Sequence, residues 1–180
     1  MNINDKYQTS RPQIKAGMLI LFRGTSIVSR MIQHITGSYF NHVGVVFAAN
    51  GRLFIMDANA PGVHPELLSA RVAQYEDFAC IDLCQTEDAV NVALGTLMDK
   101  DSAGVKYNFP RLLMIALKDK FNIDAPGMDG KDRVICSQYA QEFCNLFPIA
   151  CYQKDPEMIP QGFIAEADSS VKILFLEPAL

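Results

Sequence analysis

The sequence has no CxxC pair, no surplus of basic residues, no long apolar run and no low-complexity tract. Each absence removes a class of protein. The five cysteines are Cys80, Cys84, Cys136, Cys144 and Cys151, an odd number. Cys80 and Cys84 flank Ile81-Asp82-Leu83, which reads as strand, and strand neighbours four apart are too distant to bridge. A disulfide framework is therefore not expected, and a reducing compartment fits better. The three histidines do not combine with the cysteines at ligand spacing, so neither a metal nor a cofactor is expected. A net charge of −4 argues against a nucleic-acid binder, which usually carries a basic face. Met1 to Lys6 is polar and lacks the apolar centre of a signal peptide. The most apolar stretches, Met18 to Phe22 and Leu112 to Leu117, are too short to span a bilayer. The expectation is a cytoplasmic chain without a membrane span, reaching outside targets only by phage delivery, lysis or signal-less export. No feature speaks to oligomeric state.

What is present suits one domain. The 180 residues, 49% hydrophobic and 20% charged, are enough to bury a sizeable core. Residues 1–14 read as a loose polar arm closed by Pro12, and residues 15–180 as a single domain with no repeat or linker. Met18 to Phe22 predicts a buried strand. Ile27 to Ile35 predicts a helix capped by Thr25 or Ser26 and ended by Gly37, with Ile27, Val28, Met31, Ile32 and Ile35 on one stripe. His42 to Ala48 and Arg52 to Asp57 predict strands joined by Asn50-Gly51, a strong hairpin signal. Ala60 to Val63 reads as a turn, Pro65 to Arg71 as short helix or irregular chain, and Phe78 to Leu83 as a third strand. A helix follows from the cap Thr86 to about Met98, with Val90, Ala93, Leu94 and Leu97 as its apolar stripe. Gly104 ends that connection, Arg111 to Lys120 predicts another helix, and Asp124 to Asp132 a loop. Cys136 to Phe147 predicts a helix stopped by Pro148. Asp155-Pro156 and Ile159-Pro160 suggest extended chain, and Lys172 to Leu176 a last strand. The class is α+β: an antiparallel sheet with helices on it.

One stretch carries chemistry, Val134-Ile135-Cys136-Ser137-Gln138. A single cysteine is most often a small buried hydrophobe, a role that suits Cys80, Cys84, Cys144 and Cys151. Cys136 differs because it leaves a polar loop and opens a helix, where the positive end of the macrodipole favours a thiolate. A nucleophilic thiol needs a base. His42 opens an apolar strand at the sheet's rim. His34 lies in a helix and reads as a surface residue, and His64 in a loop is the reserve base. Folding about Asn50-Gly51 sets opposite one another residues whose numbers sum to about 101, which brings Asp57 within a residue or two of His42. Asp57 then orients the imidazole, or only caps a turn.

The His42-Val43-Gly44-Val45 strand, Asp57-Ala58, Lys106-Tyr107-Asn108-Phe109 and the late Cys136-Ser137 together resemble the circularly permuted NlpC-type papain-like hydrolases, a branch that includes relatives of lecithin–retinol acyltransferase. The order of histidine, acid and cysteine is the permuted one, and the likeness runs over roughly residues 15–165, with Gly17 to Gly24 as the first strand. The resemblance implies a papain-like fold, Cys136 as nucleophile, His42 as general base and Asp57 as third member, where glutamate is common and another polar residue is the alternative. It sets Tyr107 near the site, and Ser137 and Asn41 beside the catalytic residues as binding groups. The backbone N–H of Cys136 is a candidate oxyanion donor. The implied activity is a cysteine peptidase or amidase cleaving an amide bond, most simply in a cell-wall peptide, through a thioester. The alternatives are a lipid or thioester acyltransferase or esterase, for which Leu112, Leu113, Met114 and Leu117 offer an acyl-lining stripe, and a non-enzymatic binding module.

Overall fold

A computed structural model describes residues 2–59, 62–101, 106–107, 133–152 and 158–176. Asn50 and Gly51 take φ of 50° and 72°, the paired positive values of a type I′ turn. The turn matches the right-handed twist of the strands it joins, β2 (His42–Ala49) and β3 (Arg52–Asn59). Their register runs from Ala49 opposite Arg52 to Val45 opposite Met56, so paired numbers sum to 101, as the turn arithmetic requires. With β1 (Leu19–Arg23), β4 (Gly62–Leu67), β5 (Asp77–Asp82) and β8 (Lys172–Leu174), they form a six-stranded sheet in the order β4-β3-β2-β1-β5-β8. Every neighbouring pair in it is antiparallel. A separate parallel pair, β6 (Lys106–Tyr107) and β7 (Arg133–Val134), precedes the Cys136 helix. The protein is thus α+β, with an antiparallel sheet and several helices.

Side chains alternate across the sheet. Leu19, Leu21, Val43, Val45, Met56, Ala79 and Ile81 face one layer. That layer is formed by α4 (Glu87–Asp101), α5 (Cys136–Cys144) and the segment around α6 (Gly162–Ala165). Val90, Ala93, Leu94 and Leu97 are buried there as the helical stripe requires. Ile20, Phe22, Val46, Ile55, Phe78 and Cys80 face the other layer, formed by α1 (Ile3–Ser10) and α3 (Leu68–Val72).

Several expectations need correction. Residues 1–14 are no loose arm: Asn2 caps α1 through its side chain, a 3₁₀ turn follows at Arg11–Gln13, and Tyr7 and Lys6 are buried. Lys6 Nζ reaches Asp77 Oδ1 at 2.5 Å, so a residue type that reads as polar surface is the anchor of the segment. Pro65 to Arg71 divides between β4, an unexpected strand, and α3. Cys84 lies beyond the end of β5, at φ 54°, and is exposed rather than a buried strand residue. Helix α2 (Ile27–Thr36) forms with Ser26 as cap and Gly37 at φ 66°, yet of its apolar stripe only Ile32 is fully buried. Ile27 is 88% exposed. Gly104, Asn108 to Pro110, the helix expected at Arg111 to Lys120 with its Leu112, Leu113, Met114 and Leu117, the Asp124 to Asp132 loop, Ala60-Pro61 and Asp155-Pro156 lie outside the described residues. Among the described residues no helix is long and apolar enough to cross a membrane.

Candidate active site

The hairpin builds the first half of the site. His42 stands at the start of β2, opposite Phe22 at the end of β1. Asp57 lies on the same face of β3, and its carboxylate Oδ2 meets His42 Nε2 in a short hydrogen bond. The close approach needs the glycine between the strands. A Cβ on Gly44 would come within 2.5 Å of Ile55 Cδ1 and 2.9 Å of Asp57 Cβ. Both partners are buried, with side-chain exposures of 9% for His42 and zero for Asp57.

A third member was not legible in the sequence. Arg71, in α3, donates to Asp57 from Nη2 to Oδ1 at 2.8 Å and to Oδ2 at 2.7 Å, and from Nε to Oδ2 at 3.0 Å. This planar, multidentate grip uses the geometry that a guanidinium and a carboxylate share. Arg71 also contacts Glu66 at 3.3 Å and Gln74 at 3.2 Å, which ties the group to β4. Tyr75 is a fourth member: its ring lies parallel to His42 at 5.8 Å, and to Phe22 at 4.4 Å. The imidazole is therefore fixed from the edge by Asp57 and against its face by an aromatic stack.

The charges follow from this packing. Burial works against the imidazolium of His42, while Tyr75, Cys136 and Asp57 favour it; the favourable interactions win, and its pKa lies well above the ordinary value. Burial also raises the Tyr75 phenol, which stays protonated at neutral pH and leaves Asp57 as the anion hydrogen-bonded to the ring. Asp57 is pushed up by burial, but His42 and then Arg71 outweigh that and hold its carboxyl below the usual range. With Nε2 engaged by Asp57, Nδ1 is the ring nitrogen left to exchange a proton.

Cys136 is the first residue of α5 and is buried. It packs with the layer opposite His42, yet lies near enough to be among the groups that raise the His42 pKa. Among the described residues no hydrogen bond joins the two. The first N–H groups of a helix have no intrahelical partners, so those of α5 are available to an anion. Gln138 Oε1 instead accepts from Ile135 N at 3.2 Å and braces the entry to the helix. Ser137 is buried beside Cys136. Asn41 turns inward: its side-chain oxygen accepts from Gly24 N at 2.7 Å and Gln33 Nε2 at 3.0 Å, holding the rim of the sheet. The Tyr107 backbone pairs with Val134, two residues before Cys136. His34 is exposed, and His64 stands opposite Asp57 in the β3–β4 ladder. Burial pushes the Cys80 and Cys144 thiols far up, as expected of inert core residues. Among the described residues no cluster of three or more His, Cys, Asp or Glu could hold a metal ion.

No protein-family profile matches the chain, and no curated protein matches it. Among solved structures the chain is similar to the metalloprotein yiiX of Escherichia coli O157:H7, at 17% identity and a TM-score of 0.48, over 62% of this chain and 68% of that one.

Proposed function

We propose that this chain is a cysteine hydrolase of the permuted papain-like type, cleaving an amide bond through Cys136, His42 and Asp57. The observation that carries the reading is the buried His42–Asp57 pair, clamped by Arg71, in a chain whose Cys136 opens a helix packed on the His42 strand. In the reaction, His42 Nδ1 accepts the Sγ proton of Cys136, and Asp57 stabilises the resulting imidazolium through Nε2. The thiolate attacks the carbonyl carbon, and the N–H groups at the start of α5 receive the developing oxyanion. The C–N bond breaks, His42 delivers its proton to the leaving amine, and a thioester remains on Cys136. Water, activated by His42, then releases the acid and restores the thiol. Arg71 is a positioning residue in this scheme: it holds the carboxylate that holds the base. The simplest substrate is a cell-wall peptide. The exposed Ile27, Val28 and Met31 on α2 favour a second reading, an acyl transfer or ester cleavage on an amphiphilic lipid.

The test is thiol reactivity. Iodoacetamide at pH 6 to 7, followed by peptide mass mapping, should label Cys136 ahead of the exposed Cys84 and leave Cys80 and Cys144 unmodified in the folded protein. His42→Ala should slow labelling of Cys136 about tenfold or more while leaving Cys84 unchanged. Equal reactivity of Cys136 and Cys84, or no effect of His42→Ala, would sink the assignment of nucleophile and base.

A further inference from the structure

The rim that carries His42 also carries a pocket. A cavity of about 340 Å³ is lined by Arg23, Gln33, Gly37, Ser38, Tyr39 and Gln161. Arg23 follows Phe22, the ladder partner of His42, and Gln33 bonds to Asn41, the residue before His42. None of the lining residues is a carboxylate. The Arg23 guanidinium lies over the Tyr39 ring, 4.3 Å from its centre, a stack that preorganises the charge. The Arg23 side chain is 31% exposed, and its Nε atom is buried with no hydrogen-bond partner; Nε forms only a long ion pair with Glu76 Oε1, at 3.7 Å. The neighbouring Asp77 is already engaged, by Lys6 Nζ at 2.5 Å, the Tyr39 hydroxyl at 3.0 Å and Phe78 N at 2.8 Å. The Gln161 side-chain oxygen accepts from Phe40 N at 3.2 Å, which leaves the amide's N–H groups to donate elsewhere.

A buried N–H without a close acceptor is costly, and a second anion at the guanidinium, whose other edge is open, relieves it. Arginine grips carboxylate and phosphate by the same paired geometry. We propose that the pocket binds an anionic group, a carboxylate or a phosphate, through Arg23 with help from Gln161 and Ser38. The volume suits a group of amino-acid size, at the small end of ligand sites. On the hydrolase reading, on which this extension rests, the anion belongs to the substrate and sits beside the scissile bond, so that Arg23 sets specificity while Cys136 and His42 do the chemistry.

The experiment uses the full chain with Cys136→Ala, which removes thiol chemistry from the measurement. Titrations with N-acetylglutamate, inorganic phosphate, and phosphatidylcholine vesicles with and without phosphatidylglycerol are followed by nitrogen–proton NMR of the Arg23 Nε–H group and the Ser38 and Tyr39 amides. A saturable response to N-acetylglutamate that Arg23→Gln weakens tenfold or more, and exposed Arg52→Gln does not, supports a carboxylate pocket. The same pattern with inorganic phosphate, or only with phosphatidylglycerol vesicles, supports a phosphate pocket and in the latter case assigns the phosphate to a lipid. Arg23→Lys keeps the charge but loses the fork, and should bind with intermediate strength; it serves as the second variant should Arg23→Gln lower the melting temperature. No saturable response to any probe, or an affinity unchanged in Arg23→Gln, overturns the proposal. Such a failure leaves the Cys136 labelling result intact, and a failure of that labelling leaves the binding result intact.

Discussion

Asp57→Asn isolates what the buried carboxylate does. The change is nearly isosteric, so the hairpin keeps its shape while His42 and Arg71 lose their shared anion. Three donor–acceptor contacts from Arg71 end on Asp57, together with the His42 bond. Removing one partner of a buried ion pair costs about 3–5 kcal/mol, because the remaining charge stays out of water. Arg71→Met leaves the Asp57 charge in the same position and should cost a similar amount. The double variant removes both charges and should cost less than the sum of the two by about 2 kcal/mol or more, since neither is then left alone. Urea unfolding of the four proteins measures this. The same variant moves a titration. His42 has a folded pKa above its unfolded value, so its contribution to stability is complete below about pH 6.5 and fades as pH rises through the folded pKa. Asp57 has a folded pKa below its unfolded value, so its contribution holds above about pH 4 and is lost as pH falls through the folded pKa. A hydrogen bond to a charged partner is worth about 1.5–3 kcal/mol, which corresponds to about one to two pH units. In Asp57→Asn the imidazole should therefore titrate lower by that amount, and the alkaline limb of Cys136 alkylation should move to lower pH with it. NMR of the His42 Cε1–H proton reads the titration directly. A His42 pKa that is ordinary in the natural chain, or unmoved in Asp57→Asn, would refute the coupling.

Gly44→Ala should be destabilising by about 1–3 kcal/mol, because the new methyl overlaps Ile55 and Asp57. Urea unfolding checks the magnitude, and a lowered His42 titration in the same variant shows that the Asp57 contact has loosened. Lys6→Met should lower stability by about 2–4 kcal/mol by leaving Asp77 buried without its cation, which thermal unfolding at neutral pH measures. Deletion of residues 2–10 should lower the melting temperature further, since it also removes the buried Tyr7.

The N-terminal helix carries a lesson about composition. Its residues are polar enough to read as a free arm, and the apolar content is slight. It docks through an ion pair and a cation–ring contact, Lys6 lying 5.1 Å from the centre of the Phe78 ring. Periodicity predicts apolar stripes well but does not register a buried charge, because that depends on a partner 71 residues away. Helix α2 shows the converse. Its stripe has the right spacing and the helix forms, yet Ile27, Val28 and Met31 remain open to solvent. Spacing determines which face of a helix is apolar; only the surrounding chain determines whether that face is covered.

The His42–Asp57 pair was readable in the sequence because it depends on local physics. Asn50-Gly51 favours one turn type, that turn sets one register, and the register brings residues 42 and 57 to the same rim. The helix that begins at Cys136 was readable for a similar reason, from a polar loop giving way to helical spacing. Arg71 and Tyr75 were not. They reach the site from a five-residue helix and the turn after it, following a strand that no pattern announced, and nothing in their own neighbourhood distinguishes them from surface residues. Their roles arise where β4 and α3 fold back over β3, so that a guanidinium meets a carboxylate fourteen positions away and a phenol ring settles on the imidazole. Turn chemistry and periodicity act over a few residues and can be read in order along the chain. Burial of charge and stacking of rings exist only between segments, and the tertiary structure alone decides them.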